Sequence, residues 1–168
     1  MEIRAATAAD VPGIVTIANE AIANGFAHFG DRPWTVEEAE ADLAGAGPRH
    51  VWLVADDGGV IGYCYGRTYK PRGGYDRTVE VAVYVHHEAR GRGVGRALYD
   101  EFIPRLKARG IRCALAGIAL PNPGSVALHE AFGFTPVGVF RRVGWKLGAW
   151  RDVGYWELHL DGADPTDG

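Results

Sequence analysis

At 168 residues, 47% hydrophobic and 23% charged, the chain has the size of one domain able to bury its own core without disulfide or metal staples. A formal net charge of −3 offers no clustered positive field of the kind a nucleic-acid backbone requires, and no apolar run reaches membrane-spanning length. The opening Met1-Glu2-Ile3-Arg4 lacks the charged-then-apolar order of a secretory leader, so a soluble, cytoplasmic protein with neither nucleic-acid nor membrane partner is expected.

In chain order, Ile3-Arg4-Ala5 reads as a short strand. Thr7-Ala8-Ala9-Asp10 forms a capping-box signal ahead of Val11, Ile14, Val15, Ala18 and Ile22 at helical spacing. From Asn24 to Trp34, glycine and proline among aromatics predict a loop of the kind that lines pockets. Thr35 and Glu38 repeat the capping signal before a short helix carrying Val36, Ala39 and Leu43, which ends near Gly45-Ala46-Gly47-Pro48. Val51–Ala55 and Val60–Gly66 flank Asp56-Asp57-Gly58-Gly59, a hairpin signal. Between Thr68 and Arg77, Lys70, Arg72 and Tyr75 stand in a broken, polar loop rich in groups that bind anions. Cys64 and Cys113 each lie within an apolar run, the setting of buried thiols rather than of a disulfide, and no zinc-type spacing occurs, so no metal is expected.

Thr78 to Val85 alternates with a period of two: Val79, Val81, Val83 and Val85 form an apolar face, and Glu80 and Tyr84 share the other. The strand runs into Arg90-Gly91-Arg92-Gly93-Val94-Gly95-Arg96, which opens a helix with Leu98, Phe102 and Leu106 as its core stripe, bent at Pro104 and ended by Gly110. Such a turn presents free backbone N–H groups beside small residues and arginines, a cradle for phosphate. It is neither the dinucleotide fingerprint nor the P-loop, because Arg96 stands where the former needs glycine and no Gly-Lys pair precedes Ser or Thr. Cys113–Ala119, apolar throughout, predicts a central strand parallel to its predecessor. After Leu120-Pro121-Asn122-Pro123-Gly124, Ser125 is the expected cap of a helix through Val126, Leu128, His129 and Phe132. Val137–Phe140 and Val153–Leu160 read as two last strands separated by a loop around Gly144–Gly148, and 161–168 as a flexible tail beyond a single domain at 1–160.

Arg90-x-x-Gly93-x-Gly95 between strand and helix resembles the signature of the GNAT-family N-acetyltransferases. So does Asn122-x-x-Ser125-x-x-Leu128-His129-Glu130-x-Phe132-Gly133-Phe134 downstream. Leu120-Pro121-Asn122, His129-Glu130 and Gly148-x-Trp150-x-Asp152-Val153-Gly154-Tyr155-Trp156 resemble the phosphinothricin and methionine sulfoximine acetyltransferases within it. The resemblance implies an α/β acyl-CoA N-acyltransferase fold, with a mixed sheet of about six to seven strands flanked by about four helices. It also implies an enzyme that moves acetyl from acetyl-CoA to the α-amine of a small glutamate-like amino acid, a reaction that can confer antibiotic or herbicide resistance. A homodimer is implied as well.

Residue by residue, the resemblance makes Glu80 the general base and gives the pantetheine arm to Val83 and Val85. It puts the pyrophosphate on Arg90, Gly91, Arg92, Gly93, Val94, Gly95 and Arg96, with Asn122 and Ser125 at the cofactor. Lys70, Arg72, Tyr75 and Tyr84 become acceptor-binding residues, with Phe29, Arg32 and Trp34 completing the pocket. Where many members carry tyrosine this chain has His129, near the reacting centre as a catalytic residue or as a hydrogen-bonded structural partner. His86 and His87 read as surface residues, and Trp145, Trp150 and Trp156 as core or dimer contacts. Two alternatives stay open: acetylation of a different amine, such as a protein N-terminus or an aminoglycoside, and a non-catalytic acyl-CoA-binding module.

Overall fold

The computed structural model describes residues 1–160; the tail expected over 161–168 lies outside them. The chain begins with β1 (Glu2–Ala5) and, after a single turn over Ala8–Asp10, α1 (Val11–Asn24). The first capping signal is realised, since the Thr7 N–H and hydroxyl each donate to Asp10 Oδ2 at 2.8 Å. Val11, Ile14, Val15, Ala18 and Ile22 are all buried, so the 3.6-residue period placed the inner face of α1 correctly. In α2 (Val36–Ala44) the second box closes in both directions, Thr35 N–H to Glu38 at 3.0 Å and Glu38 N–H to the Thr35 hydroxyl at 3.2 Å.

Strands β2 (Val51–Asp56) and β3 (Val60–Thr68) form the predicted hairpin, with Asp56 Oδ1 accepting from the N–H groups of Gly58 and Gly59. Next come β4 (Thr78–Val85), α3 (Val94–Ala108), β5 (Cys113–Leu120), α4 (Pro123–Ala131), β6 (Thr135–Lys146) and β7 (Ala149–His159). The described residues build a seven-stranded sheet ordered β1-β2-β3-β4-β5-β7-β6. Its one parallel pair is β4–β5, which α3 connects. Leu98, Tyr99, Phe102 and Leu106 of α3 are fully buried against one face of the sheet, each such side chain contributing about 1.5–3 kcal/mol. On the other face α1 packs over Trp52, Val54 and Tyr63. Cys64 is buried and Cys113 half-buried, and the two form no disulfide with each other.

Two expectations are corrected. The cap of α4 is Asn122, whose Oδ1 accepts from the Ser125 N–H at 3.2 Å; proline at the first helical position moved the boundary upstream of Ser125. The last two strands are also longer than predicted and meet in a tight hairpin at Leu147-Gly148, both at positive φ (49° and 72°), which is the backbone of a primed turn. An irregularity between Phe140 and Gly144, with Arg142 at φ 52°, interrupts the alternation and hid the strand.

One feature of the ladder positions the site. β4 pairs with β5 only at Thr78, Val79 and Glu80, opposite Cys113, Ala114 and Leu115. Beyond that point β4 stays with β3 to Val85 and β5 stays with β7 to Leu120. The sheet therefore splits, and the facing edges of Val81–Val85 and Ala116–Leu120 lack each other's hydrogen bonds.

Candidate active site

The split opens into a cleft of about 900 Å³, bounded by Val81–Val85, Gly117–Ala119, the glycine turn, the start of α4 and the end of α1. Buried edges of this kind leave strand N–H and C=O groups in need of partners, which suits an extended amide-bearing chain laid between the strands. Val83 and Val85 both line it.

At the cleft's mouth, Gly91 and Gly93 sit at φ 75° and 78°. A Cβ at either would meet nothing within 4 Å, so backbone conformation rather than crowding calls for glycine. Gly93 is the N-cap of α3, and the first helical bond runs from Ala97 N–H to Gly93 O at 3.0 Å. The N–H groups of Val94, Gly95 and Arg96 are thus left over for an anion. Gly95 serves packing too, because a Cβ there would stand 3.2 Å from Leu128 of α4. Arg90 and Arg96 line the cleft, Arg90 at 3.7 Å from Glu20, which also holds His87 at 2.9 Å. Arg92 departs from its expected place: it donates to Asp57 at 2.9 Å and is not among the cleft residues. Asn122 and Ser125 line the opposite wall.

Glu80 lies where the split begins, on the face it shares with Tyr84. A Cβ on Gly117 would come within 3.4 Å of Glu80 Oε1 and 3.3 Å of the Tyr155 ring, so the glycine leaves room for both. No hydrogen bond to Glu80 occurs among the described residues, and burial raises its carboxyl above the ordinary value. A carboxylate in that condition is a stronger proton acceptor than a solvated one. Tyr155, quoted from the sequence only as part of the Gly148–Trp156 motif and given no role there, has its phenol raised by burial first and then by the charges of Glu80 and Tyr69. It stands opposite Gly117 in the β5–β7 ladder, a relation that the pattern of neither strand records. The Tyr84 ring packs 5.4 Å from Tyr63 and 5.6 Å from His28, its phenol raised chiefly by burial and so neutral.

The loop after β3 is exposed at Lys70 and Arg72 and half-buried at Tyr75. Lys70 Nζ hovers 4.9 Å and 5.8 Å over the Tyr69 and Tyr75 rings. Lys70, Arg72 and Tyr75 stand outside the lining of this cleft. His129 is buried, with Nδ1 2.7 Å from the Ser125 carbonyl and Nε2 2.9 Å from the Tyr99 hydroxyl. A carbonyl only accepts, so Nδ1 carries the proton, and with burial lowering the pKa Nε2 accepts from Tyr99. Both ring nitrogens are therefore engaged within the protein.

The α1–α2 segment is pinned by Lys146, which donates to the Gly30 carbonyl at 2.6 Å, and by Asn19, bonded to both backbone groups of Trp34. Phe29 packs where Gly144 has no room for a Cβ. Arg32 and Trp34 line a second cavity beside β3. Trp145 and Trp150 are exposed and Trp156 is buried.

Residues 3–154 match the family model described as an acetyltransferase (GNAT) domain. Phosphinothricin N-acetyltransferase of Streptomyces viridochromogenes is 42% identical over 96% of this chain and 88% of its own length. The L-methionine sulfoximine/L-methionine sulfone acetyltransferase of Pseudomonas aeruginosa is 36% identical over 95% of this chain and 94% of its own. Among solved structures, a GNAT superfamily phosphinothricin acetyltransferase from Sinorhizobium meliloti, in complex with acetyl-CoA, superposes with a TM-score of 0.92 at 35% identity, covering 99% of this chain and 94% of that one.

Proposed function

The chain belongs to the GNAT acetyltransferase family, and on that premise we propose that it transfers acetyl from acetyl-CoA to the α-amine of a small glutamate-like amino acid, with Glu80 as general base. The carrying observation is the position of Glu80: a partly buried, unpartnered carboxylate at the point where β4 and β5 part. Acetyl-CoA supplies the thioester. Its pyrophosphate suits the free N–H groups at Val94–Arg96 with Gly91, Gly93 and Arg90, and its pantetheine arm suits the open edges at Val83 and Val85, with Asn122 and Ser125 on the far wall.

An amino-acid amine is an ammonium at neutral pH and must lose a proton before it can attack, and Glu80 is placed to take that proton directly or through water. As the N–C bond forms and the C–S bond breaks, a β4 N–H stabilises the charge on the carbonyl oxygen. The amine gives up two protons in all, one ending on the coenzyme A thiol and one in solvent. His129, with both nitrogens engaged, holds α4 against α3 rather than exchanging protons. Lys70, Arg72, Tyr75 and Tyr84 provide cationic and hydroxyl donors for the acceptor's carboxylate.

The protein works as a homodimer in this proposal. Val137, Val139, Phe140, Val143, Trp145, Leu147 and Trp150 of the β6–β7 hairpin are each more than half exposed, a concentration of apolar side chains that a second copy could cover. Cysteines that form no disulfide fit a reducing cytoplasm. A thiol-release assay with acetyl-CoA tests the function against phosphinothricin, methionine sulfoximine, methionine sulfone, other amino acids, peptides and aminoglycosides. Turnover is expected with the first three; turnover confined to peptides or aminoglycosides would refute the acceptor assignment.

A further inference from the structure

The sheet face that carries Glu80 also bears the second cavity, about 540 Å³, between β3 and the α1–α2 segment. Tyr63, Tyr65 and Arg67, alternate residues of β3, form its floor, and Trp34 and Asp42 stand on its wall. Arg67 decides what such a chamber can hold. Its guanidinium carbon lies 4.4 Å from the Tyr65 ring centre and 5.2 Å from that of Trp52, with Trp34 at 6.0 Å. The cation thus lies against aromatic rings and has its N–H groups for polar contact. Of these, one nitrogen donates to Asp42 at 2.8 Å, the one hydrogen bond Arg67 makes among the described residues.

Arg67 stands directly opposite Glu80 in the β3–β4 ladder, where paired Cβ atoms are about 4.5–5.5 Å apart. A molecule with its amine at Glu80 therefore has, within the length of one amino-acid side chain, a planar cation with donors to spare. Neither Lys70 nor Arg72 lines this chamber.

We infer that Arg67 is a specificity-determining residue: the second cavity receives the distal end of the acceptor, and Arg67 grips an oxygen of a terminal carboxylate, phosphinate or sulfonyl group. The inference rests on the reading of Glu80 as the base that meets the amine. It leaves the loop cations Lys70 and Arg72 to the α-carboxylate and gives the acceptor a fixed orientation, amine toward the cleft and acid end toward α2.

The test compares methionine sulfone with methionine, which differ only in the sulfonyl oxygens, and adds phosphinothricin, in wild type, Arg67→Gln and Arg67→Lys. The Arg67–Asp42 pair is at the surface, so losing it costs little stability. For Arg67→Gln, kcat/KM should fall about tenfold or more for phosphinothricin and the sulfone, far less for methionine, with KM for acetyl-CoA unmoved. Arg67→Lys should recover part of the loss. Equal losses on sulfone and methionine, or no loss, would overturn the inference. If wild type acetylates no amino acid, the proposed function fails separately, and tryptophan emission decides the chamber. Phosphinothricin should then shift the signal of Trp34 and Trp52 in wild type but not in Arg67→Gln; no shift in wild type would overturn it.

Discussion

In the β1 corner, Arg4 donates to both oxygens of Asp10 at 2.8 Å and 2.7 Å and to Asp56 at 2.7 Å, while Asp10 accepts again from Thr7. In the wedge between β4 and β5, the strand edges, the Val94–Arg96 amides and the Glu80 carboxylate have no such partners among the described residues. The electrostatics follow the same division. Arg4 first, with help from Thr7, pulls the Asp10 carboxyl down to about 2 against the effect of burial, whereas burial alone lifts that of Glu80. Satisfied polar groups add stability and have nothing to offer a ligand; unsatisfied ones cost stability and are available to bind or react.

Substitutions should separate the two regions. The largest effect is expected from Glu80→Gln, which should lower kcat about 10²-fold or more without lowering the melting temperature, since it removes a partly buried charge. The pH profile sharpens this: as the proposed general base Glu80 would act only when ionised, so kcat/KM should climb through a midpoint above the usual glutamate value of about 4.3, and that limb should vanish in the variant. Next in size, Asp10→Asn should cost about 1–2 kcal/mol in denaturant unfolding and leave both KM values alone. Because the folded pKa of Asp10 is depressed, its contribution is present above the unfolded value of about 3.9 and is lost as pH falls toward about 2. A change in KM there would break the comparison.

Smaller still, Gly93→Ala places a Cβ at φ 78°, a strain of about 1 kcal/mol. It should raise KM for acetyl-CoA several-fold while sparing that for the acceptor. The smallest effect belongs to Arg92→Ala, because Arg92 is turned toward Asp57. Its KM for acetyl-CoA should change less than that of Arg90→Ala, and the reverse order in a binding titration would return Arg92 to the pyrophosphate.

What was legible in the chain followed the same line between local and distant causes. The Thr7/Asp10 and Thr35/Glu38 boxes, the Asp56–Gly59 turn and the opening of a helix at the glycine turn are written within a few residues, and each forms as read. The β6–β7 hairpin was obscured by the irregularity around Arg142, which breaks the alternation that periodicity depends on. Tyr155 and Arg67 were overlooked for another reason. Each takes its meaning from a cross-strand neighbour, Tyr155 from Gly117 and Arg67 from Glu80, and register between strands is not recorded in either strand's own pattern. Trp145 and Trp150 gave an apolar signal that could mean core or interface, and their exposure at the hairpin takes them out of the core.

The proposed division of labour, acetyl-CoA on the glycine turn that follows β4 and the chemistry on β4 itself, is tested most directly by Glu80→Gln. Its acetyl-CoA affinity is measured by calorimetry and its acetyl transfer to phosphinothricin by thiol release on the same preparation. Affinity within about twofold of wild type with transfer reduced about 10²-fold or more is the predicted result. Undiminished transfer, or loss of affinity and transfer together, would contradict it.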